Sequence, residues 1–435
     1  MVKHLERSPS YNSYKDSNLQ WLGVVPSHWE MTRLGGLFKE RRTKVSDKDF
    51  PPLSVTKNGI LPQLESAAKT NDGDNRKLVR SGDFVINSRS DRKGSSGVSE
   101  TDGSVSLINI VLEPRGINRD YCKYLFKSYS FVEEFYRIGH GIVADLWTTR
   151  YDEMRSIVLA FPPLTEQATI ANFLDCKGAK IDQAIQIKKR QIERLKERKQ
   201  ILIQLAVTCG LKSDAPMRDS GIEWIGEIPG HWTVMANRAL FRERVEPGQE
   251  DLPLLSVSIH SGVSEEEIPE EQNIRARVKI EDKSKYNCVR PGDIAFNMMR
   301  AWQGAIGAVS VDGMVSPAYT IAVPRSSLDA RYFEYQYRTP GFIQQMDRYS
   351  KGITDFRKRL YWDGFKQLIT LVPPIEEQRA IVKFIDQAML KQTATVTLLE
   401  QQITKLIEYK ATLINSAVTG KIKVPGVVEP DTQDR

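Results

Sequence analysis

Apolar residues recur at a heptad step through residues 164–208. Leu174, Ile181, Leu195 and Leu202 form one row, and Ile185, Ile192 and Ala206 form a second row four residues on. The stretch follows Pro162-Pro163, holds one glycine, Gly178, and no proline, and only Lys188 and Lys199 interrupt its rows. A stripe this narrow predicts a long helix that faces a partner helix. The pattern returns at residues 375–419 after Pro373-Pro374, with Ile385, Leu399, Leu406 and Leu413 in one row and Met389, Val396, Ile403 and Ala417 in the other. Each copy can therefore serve as the partner of the other.

The repeat extends beyond the helices. Trp21-Leu22-Gly23-Val24-Val25-Pro26-Ser27-His28-Trp29 returns as Trp224-Ile225-Gly226-Glu227-Ile228-Pro229-Gly230-His231-Trp232, and Asp16-Ser17 and Asp219-Ser220 precede the two phrases. Two tryptophans and a histidine could line a ligand site, but aromatics around a Gly/Pro turn more often pin a first strand, and the structural reading is preferred. Leu53-Ser54-Val55 matches Leu255-Ser256-Val257, and Arg80-Ser81-Gly82-Asp83-Phe84-Val85-Ile86-Asn87 matches Arg290-Pro291-Gly292-Asp293-Ile294-Ala295-Phe296-Asn297. Gly-Asp before an alternating apolar run predicts a turn and then a strand. Further β-type runs lie at residues 106–112 and 319–323, and helical, aromatic-rich segments at 121–135 and 331–346.

The step between copies grows from 203 residues at the tryptophans to 210 at Gly-Asp and 211 from Glu166-Gln167 and Glu377-Gln378 to the closing Ala-Val-Thr at Ala206 and Ala417. Loops absorb the difference, while the helices tolerate none. The predicted organisation is a first globule at 1–163, a long helix at 164–208, a linker at 209–221, a second globule at 222–374, a second long helix at 375–419 and a tail at 420–435. The fold class is α+β: two duplicated mixed α/β globules separated by two long antiparallel, coiled-coil-like helices with pseudo-twofold symmetry. At about 1.5 Å per residue each helix would span roughly 65–70 Å, on the order of two turns of duplex DNA.

A chain of 435 residues fits two or three domains. With 40% hydrophobic and 27% charged residues it has the balance of a soluble globular protein. No window approaches the run of about eighteen apolar residues a membrane span needs, and the polar residues 1–14 predict no secretory signal. Cys122, Cys176, Cys209 and Cys288 are scattered, which suits free thiols in a reducing cytoplasm. A net charge of +7 is compatible with an anionic partner without requiring one.

Catalytic signatures are missing from the sequence. It has no phosphate loop, dinucleotide fingerprint, nucleophile elbow, H-E-x-x-H or Asn-Pro-Pro-aromatic tetrapeptide, and the histidines at 4, 28, 140, 231 and 260 lack metal-ligand spacing. Neither independent catalysis nor a resident metal or cofactor is expected. What each globule does carry is a polar, basic loop after its Gly-Asp strand. In the first globule the candidate DNA-contacting residues are Asn87, Ser88, Arg89, Arg92 and Lys93; in the second they are Asn297, Met299, Arg300, Trp302 and Gln303. Arg and Lys can read guanine edges, Asn and Gln can read adenine, and Trp or Met can wedge or meet a thymine methyl. A second basic cluster, with Lys351, Arg357 and Lys358, suits phosphate contact, whereas its counterpart at residues 140–150 is much less charged. Lys188-Lys189-Arg190 through Lys199 alternates with Glu193 and Glu197 and reads as a solvated helix face.

The motif set resembles the specificity subunits of type I restriction-modification systems over nearly the whole chain. It comprises Asp-Ser with the Trp-Gly-Pro-His-Trp openings, the Gly-Asp strands, the Pro-Pro-x-x-Glu-Gln helix starts and the closing Ala-Val-Thr, each present twice and in order. The resemblance implies that each globule is a target recognition domain binding one half of a split, asymmetric double-stranded DNA sequence. The helices would set the gap and dock two methyltransferase subunits, with restriction/translocation subunits completing the prokaryotic, cytoplasmic assembly. It further implies a non-catalytic chain, with S-adenosylmethionine, Mg²⁺ and ATP belonging to the partner subunits. The competing readings are a coiled-coil scaffold that binds proteins and not DNA, and a stand-alone methyltransferase or nuclease, which would need a cofactor fold absent from the motifs.

Overall fold

The computed structural model describes residues 9–63, 73–141, 147–259, 261–265, 283–352 and 357–430. The chain divides into two compact units, one formed by residues 1–189 and 400–435 and the other by residues 190–399. The two long helices, Leu164–Cys209 and Ile375–Val418, are continuous, and each contributes to both units.

The first unit begins with a short ladder in which Tyr14–Asp16 pairs with Val24–Pro26. Glu30–Arg33 then pairs antiparallel with Val158–Phe161, which returns the end of the globule to its beginning just before the long helix. Between them lies an antiparallel sheet in the order Ser96–Val98, Phe84–Asn87, Asn109–Pro114, Phe38–Glu40, beside a smaller sheet of Gly103–Val105, Arg76–Val79 and Lys44–Val45. The Gly-Asp turn works as its composition predicts. Gly82 takes φ +91°, and Asp83 accepts from the Arg80 backbone N–H at 2.8 Å and from Arg41 through both oxygens.

The aromatic-rich segment read as one helix is two, Arg119–Leu125 and Tyr129–Arg137. Ser128 forces the break, because its hydroxyl accepts from the Phe131 N–H and so caps a new helix. This places Phe126, Phe131 and Phe135 against Phe84 and Phe38 in the core.

The second unit follows the same order. Met217–Asp219 pairs with Glu227–Pro229, so the stretch read as a linker supplies a strand, and Thr233–Ala236 pairs with Ile369–Val372. The main sheet runs Phe241–Arg244, Tyr319–Pro324, Ile294–Asn297, Ile306–Ala308. Asp293 repeats the turn closure on Arg290 and is clasped by Arg244. Here too the helical segment is divided, into Ala330–Tyr337 and Pro340–Tyr349, with Pro340 opening the second helix.

Within each unit the long helices lie antiparallel. In the first, Lys410 meets Asp182 at 2.7 Å and Lys188 donates to Gln402 at 2.5 Å, so rising numbers on one helix face falling numbers on the other. Ile181 and Ile185 share a core there with Leu413 and Ala417. In the second unit, Ile203, Ala206 and Val207 share a core with Ile381, Val382 and Ile385. The buried position near the helix end is Ile203, while Leu202 of the predicted row is only half-buried. A 3.6-residue helix drifts about 20° per heptad against a 3.5-residue row, which moves the seam by one position. Residues 420–430, read as a tail, pack in the first unit: Ile422, Val424 and Val427 are buried and the Lys423 N–H donates to the Pro9 carbonyl.

Candidate nucleic-acid interface

The repeated motifs form a frame, and the frame explains why the loops sit where they do. In the first unit Glu166, at the start of the first long helix, is buried and accepts from the Tyr11 hydroxyl at 2.7 Å and the Trp29 indole at 3.1 Å, with His28 Nε2 2.7 Å away. The next residue, Gln167, donates to the Pro162 carbonyl and accepts from the N–H of Asn118, the cap of the Arg119–Leu125 helix. At the other end of the frame, the Tyr121 hydroxyl donates to the Val418 carbonyl, which the helix terminus leaves without a partner of its own.

The second unit repeats the histidine, glutamine and tyrosine contacts of this set. His231 meets Glu377, Gln378 bridges the Pro373 carbonyl and the Asp329 N–H, and Tyr332 caps the Val207 carbonyl. Each globule thus grips the start of one long helix and the end of the other. The Trp-His phrase is a structural pin, as its composition indicated.

The candidate loops hang from this frame on matching devices. Asn87 and Asn297 end their strands, and each uses its side-chain oxygen to accept the N–H two residues on, from Arg89 at 3.0 Å and from Met299 at 2.9 Å. A single 3-10 turn follows, Ser90–Arg92 in one unit and Ala301–Gln303 in the other. Against each loop lies a single antiparallel β-bridge, at positions 211 residues apart in number: His140 pairs with Thr148, and Lys351 with Arg359. Backbone bonds join them to the loop, from Ser90 to Trp147 and from Thr149 to Ser88 in the first unit and from Leu360 to Met298 in the second. Residues 142–146 and 353–356 between the bridged positions lie outside the described residues.

The sequence-predicted residues divide by role. Asn87 and Ser88 are buried and hold the turn, and half-buried Asn297 does the same. Arg89, Arg92 and Lys93 are exposed; Lys93 reaches Glu133 at 2.7 Å and lies 5.9 Å from the Tyr136 ring, whose hydroxyl burial pushes up to about 12. In the second unit the structure joins the two predicted clusters. Lys358 sits 5.2 Å over the half-buried Trp302 ring, a cation–π contact, and Asp347 holds it there at 2.8 Å.

Met299 and Arg300 are exposed, Arg300 donates to Gln303, and the Trp302 indole donates to the Met299 carbonyl. Lys351 and Arg357 are exposed at the two sides of the second cluster. Asp347 was missed by the sequence reading, because a lone aspartate on a helix carries no signal until its partner is placed. Among the described residues no cluster of metal-ligating side chains occurs, and no helix is long and apolar enough to cross a membrane.

No family model matches the sequence. Solved structures do match its fold. A chain from a structure concerning complex assembly and conformational transition of the type I R-M system superposes with a TM-score of 0.63, at 14% identity, over 91% of this chain and 98% of that one. The HsdS subunit from Thermoanaerobacter tengcongensis superposes with a TM-score of 0.55, also at 14% identity, over 94% of this chain and all of that one. The chain has the HsdS fold. At this identity the likeness is one of architecture, and in the HsdS fold of this chain the loops carry the side chains that differ between the two units.

Proposed function

We propose that this chain is the non-catalytic DNA-specificity subunit of a type I restriction-modification complex. Each unit reads one half of a bipartite, asymmetric target, the paired helices fix the gap between the halves, and methyltransferase subunits dock on those helices. The observation that carries the reading is the pair of loops built on one frame, with Asn87 and Asn297 making the same turn beneath different side chains, Arg89 in one unit and Met299-Arg300 in the other. One frame with two surfaces is the economical way to read two sequences.

Docking is supported by the long helices, which leave Ile201, Leu205, Leu390, Leu398 and Ile407 exposed; Leu390 is 74% exposed. Scattered single residues of this kind need no explanation, but several on one helix pair suit a partner surface. S-adenosylmethionine, Mg²⁺ and ATP belong to the partner subunits in this reading, and the restriction/translocation subunits complete the assembly in a prokaryotic cytoplasm.

Methylation mapping with the purified methyltransferase partner tests the proposal. One bipartite sequence should be modified, and a contiguous site or none would overturn it. Inserting matched turns into both helices, between residues 181–202 and at the facing positions, should change the preferred gap and leave both half-sites readable.

A further inference from the structure

We propose that a cleft beside the first unit's recognition loop seats backbone phosphates of the first half-site, with Arg42 and Arg150 as the contacting cations. The assignment rests on the DNA-specificity reading and adds a binding site to it. The cleft encloses about 440 Å³, and its charged lining consists of Glu40, Arg42, Lys77, Arg89, Arg150 and Asp152.

Arg42, Arg89 and Arg150 are exposed at its rim. Lys77 lies deeper, its ammonium donating to the Asn109 carbonyl at 2.8 Å and standing 3.6 Å from Glu40. Burial pulls the Lys77 ammonium below its ordinary range, and Glu40 opposes that shift. Arg42 also donates to Glu40. Four cations against two carboxylates leave a positive surplus, and guanidinium forks match phosphate oxygens.

The second unit shows that the frame does not need those cations. Glu40 and Glu243 are equivalent, since they stand opposite Leu112 and Ala322 in matching sheets. Lys77 matches Asn287 two residues before Val79 and Val289, which pair with Gly103 and Gly313. Arg89 matches Met299 through the shared asparagine turn. Arg150 matches Tyr361, each preceding a one-turn helix with nearly identical backbone angles.

Both acids persist, as Glu243 and Asp363, while all four cations are replaced, by Val245, Asn287, Met299 and Tyr361. The second unit instead places its charge at Lys351, Arg357, Lys358 and Arg359. The surplus in the first cleft therefore belongs to what that unit binds. The two heads grip the backbone from different segments.

The test uses the complex with its methyltransferase partner and the double variant Arg42→Val with Arg150→Tyr. Folding is protected by the choice of residues, because the second unit carries them in the same frame. Affinity is measured between 50 and 200 mM salt for a cognate duplex and a scrambled one. Two lost phosphate contacts lower the salt slope by about 1.8, so over that fourfold range the variant loses about 12-fold less affinity than the wild type. At low salt, binding to both duplexes should weaken together, and the ranking of base substitutions in the first half-site should not change.

An unchanged slope overturns the assignment, as does a loss confined to particular bases, which would make the cleft a base-reading site. Saturable binding of inorganic phosphate by the DNA-free complex, abolished in the variant, would give the cleft to a free anion and also overturn it. If the wild-type complex protects no bipartite site, the functional reading itself fails. Protection by the wild type with an unchanged slope in the variant defeats only the cleft assignment.

Discussion

Replacing Glu166 by alanine should damage the first unit far more than replacing Glu377 damages the second. Glu166 accepts from Tyr11 and Trp29 and contacts His28 in a site where all but the histidine are fully buried. Hydrogen bonds to a charged acceptor are worth roughly 1.5–3 kcal/mol each. The three share one carboxylate and do not add, so about 3–5 kcal/mol is expected, the range for removing one partner from a buried charged set. Glu377 keeps only the histidine among the described residues, and that contact is partly open, with His231 47% exposed, so Glu377→Ala should cost about 1 kcal/mol or less.

Because the chain has two units, a single melting temperature would blur the comparison. Native-state hydrogen exchange of peptides covering residues 164–175 and 375–386 separates them. A 3 kcal/mol loss speeds exchange through opening by roughly 150-fold and 1 kcal/mol by about 5-fold. Equal acceleration at the two helix starts, or less than about 5-fold at the first, would refute the reasoning.

Other substitutions probe the remaining frame and the loops. Gly307→Ala should cost about 1–3 kcal/mol by over-packing, since an added Cβ would lie 2.7 Å from the Val263 backbone N and 2.9 Å from the Gly262 Cα; a neutral outcome in urea denaturation would mean that the strand Gly262–Glu265, which pairs with Leu255–Ser258, is not held against Gly307. Lys188→Leu with Gln402→Leu replaces a polar pair in the helix seam and should stabilise the protein by about 1 kcal/mol, whereas a marked loss would place that pair outside the seam. Alkylation of the native protein should modify exposed Cys176 first and spare Cys122, whose thiol is buried and pushed far up by desolvation; mass spectrometry of the labelled peptides decides. Arg89→Ala and Arg300→Ala should each relax base choice at one half-site only, by roughly 1–3 kcal/mol, and uniform weakening across sequences would make them phosphate contacts.

Much of the fold could be read from sequence, because the pattern is printed twice. The heptad rows, bounded by the Pro-Pro pairs and the closing Ala-Val-Thr, located both long helices to within a residue at their ends, and Gly-Asp announced two turns whose closure needs the glycine φ and the aspartate carboxylate together. The helix break at Ser128 was hidden, since an uninterrupted aromatic pattern reads as one helix and a serine hydroxyl reveals itself as a cap only when its N–H donor is placed. The site was less legible. The loop positions followed from the repeat, but Asn87 resembles an adenine reader on chemistry alone and in fact closes its own turn. The cations at Arg42, Lys77 and Arg150 come from three distant segments and meet only in the folded sheet.

The division of labour between frame and loops follows from where the motifs are satisfied. The repeated motifs are satisfied largely inside the protein: Glu-Gln by the opening phrase and the cap of the first aromatic-rich helix, the closing valine by a tyrosine, Gly-Asp by its own turn and an arginine. Most of these groups already have a partner within their own unit, so a change in any of them costs stability in the unit that holds it. The side chains that differ between the copies, Arg89 against Met299 and Arg150 against Tyr361, reach outward from positions whose backbone is already fixed. Exchanging them changes the exposed surface and leaves the frame's own contacts intact. A duplicated frame can therefore acquire two unrelated loop surfaces by substitution at a few positions, without any adjustment in the contacts that hold each unit to its helix ends.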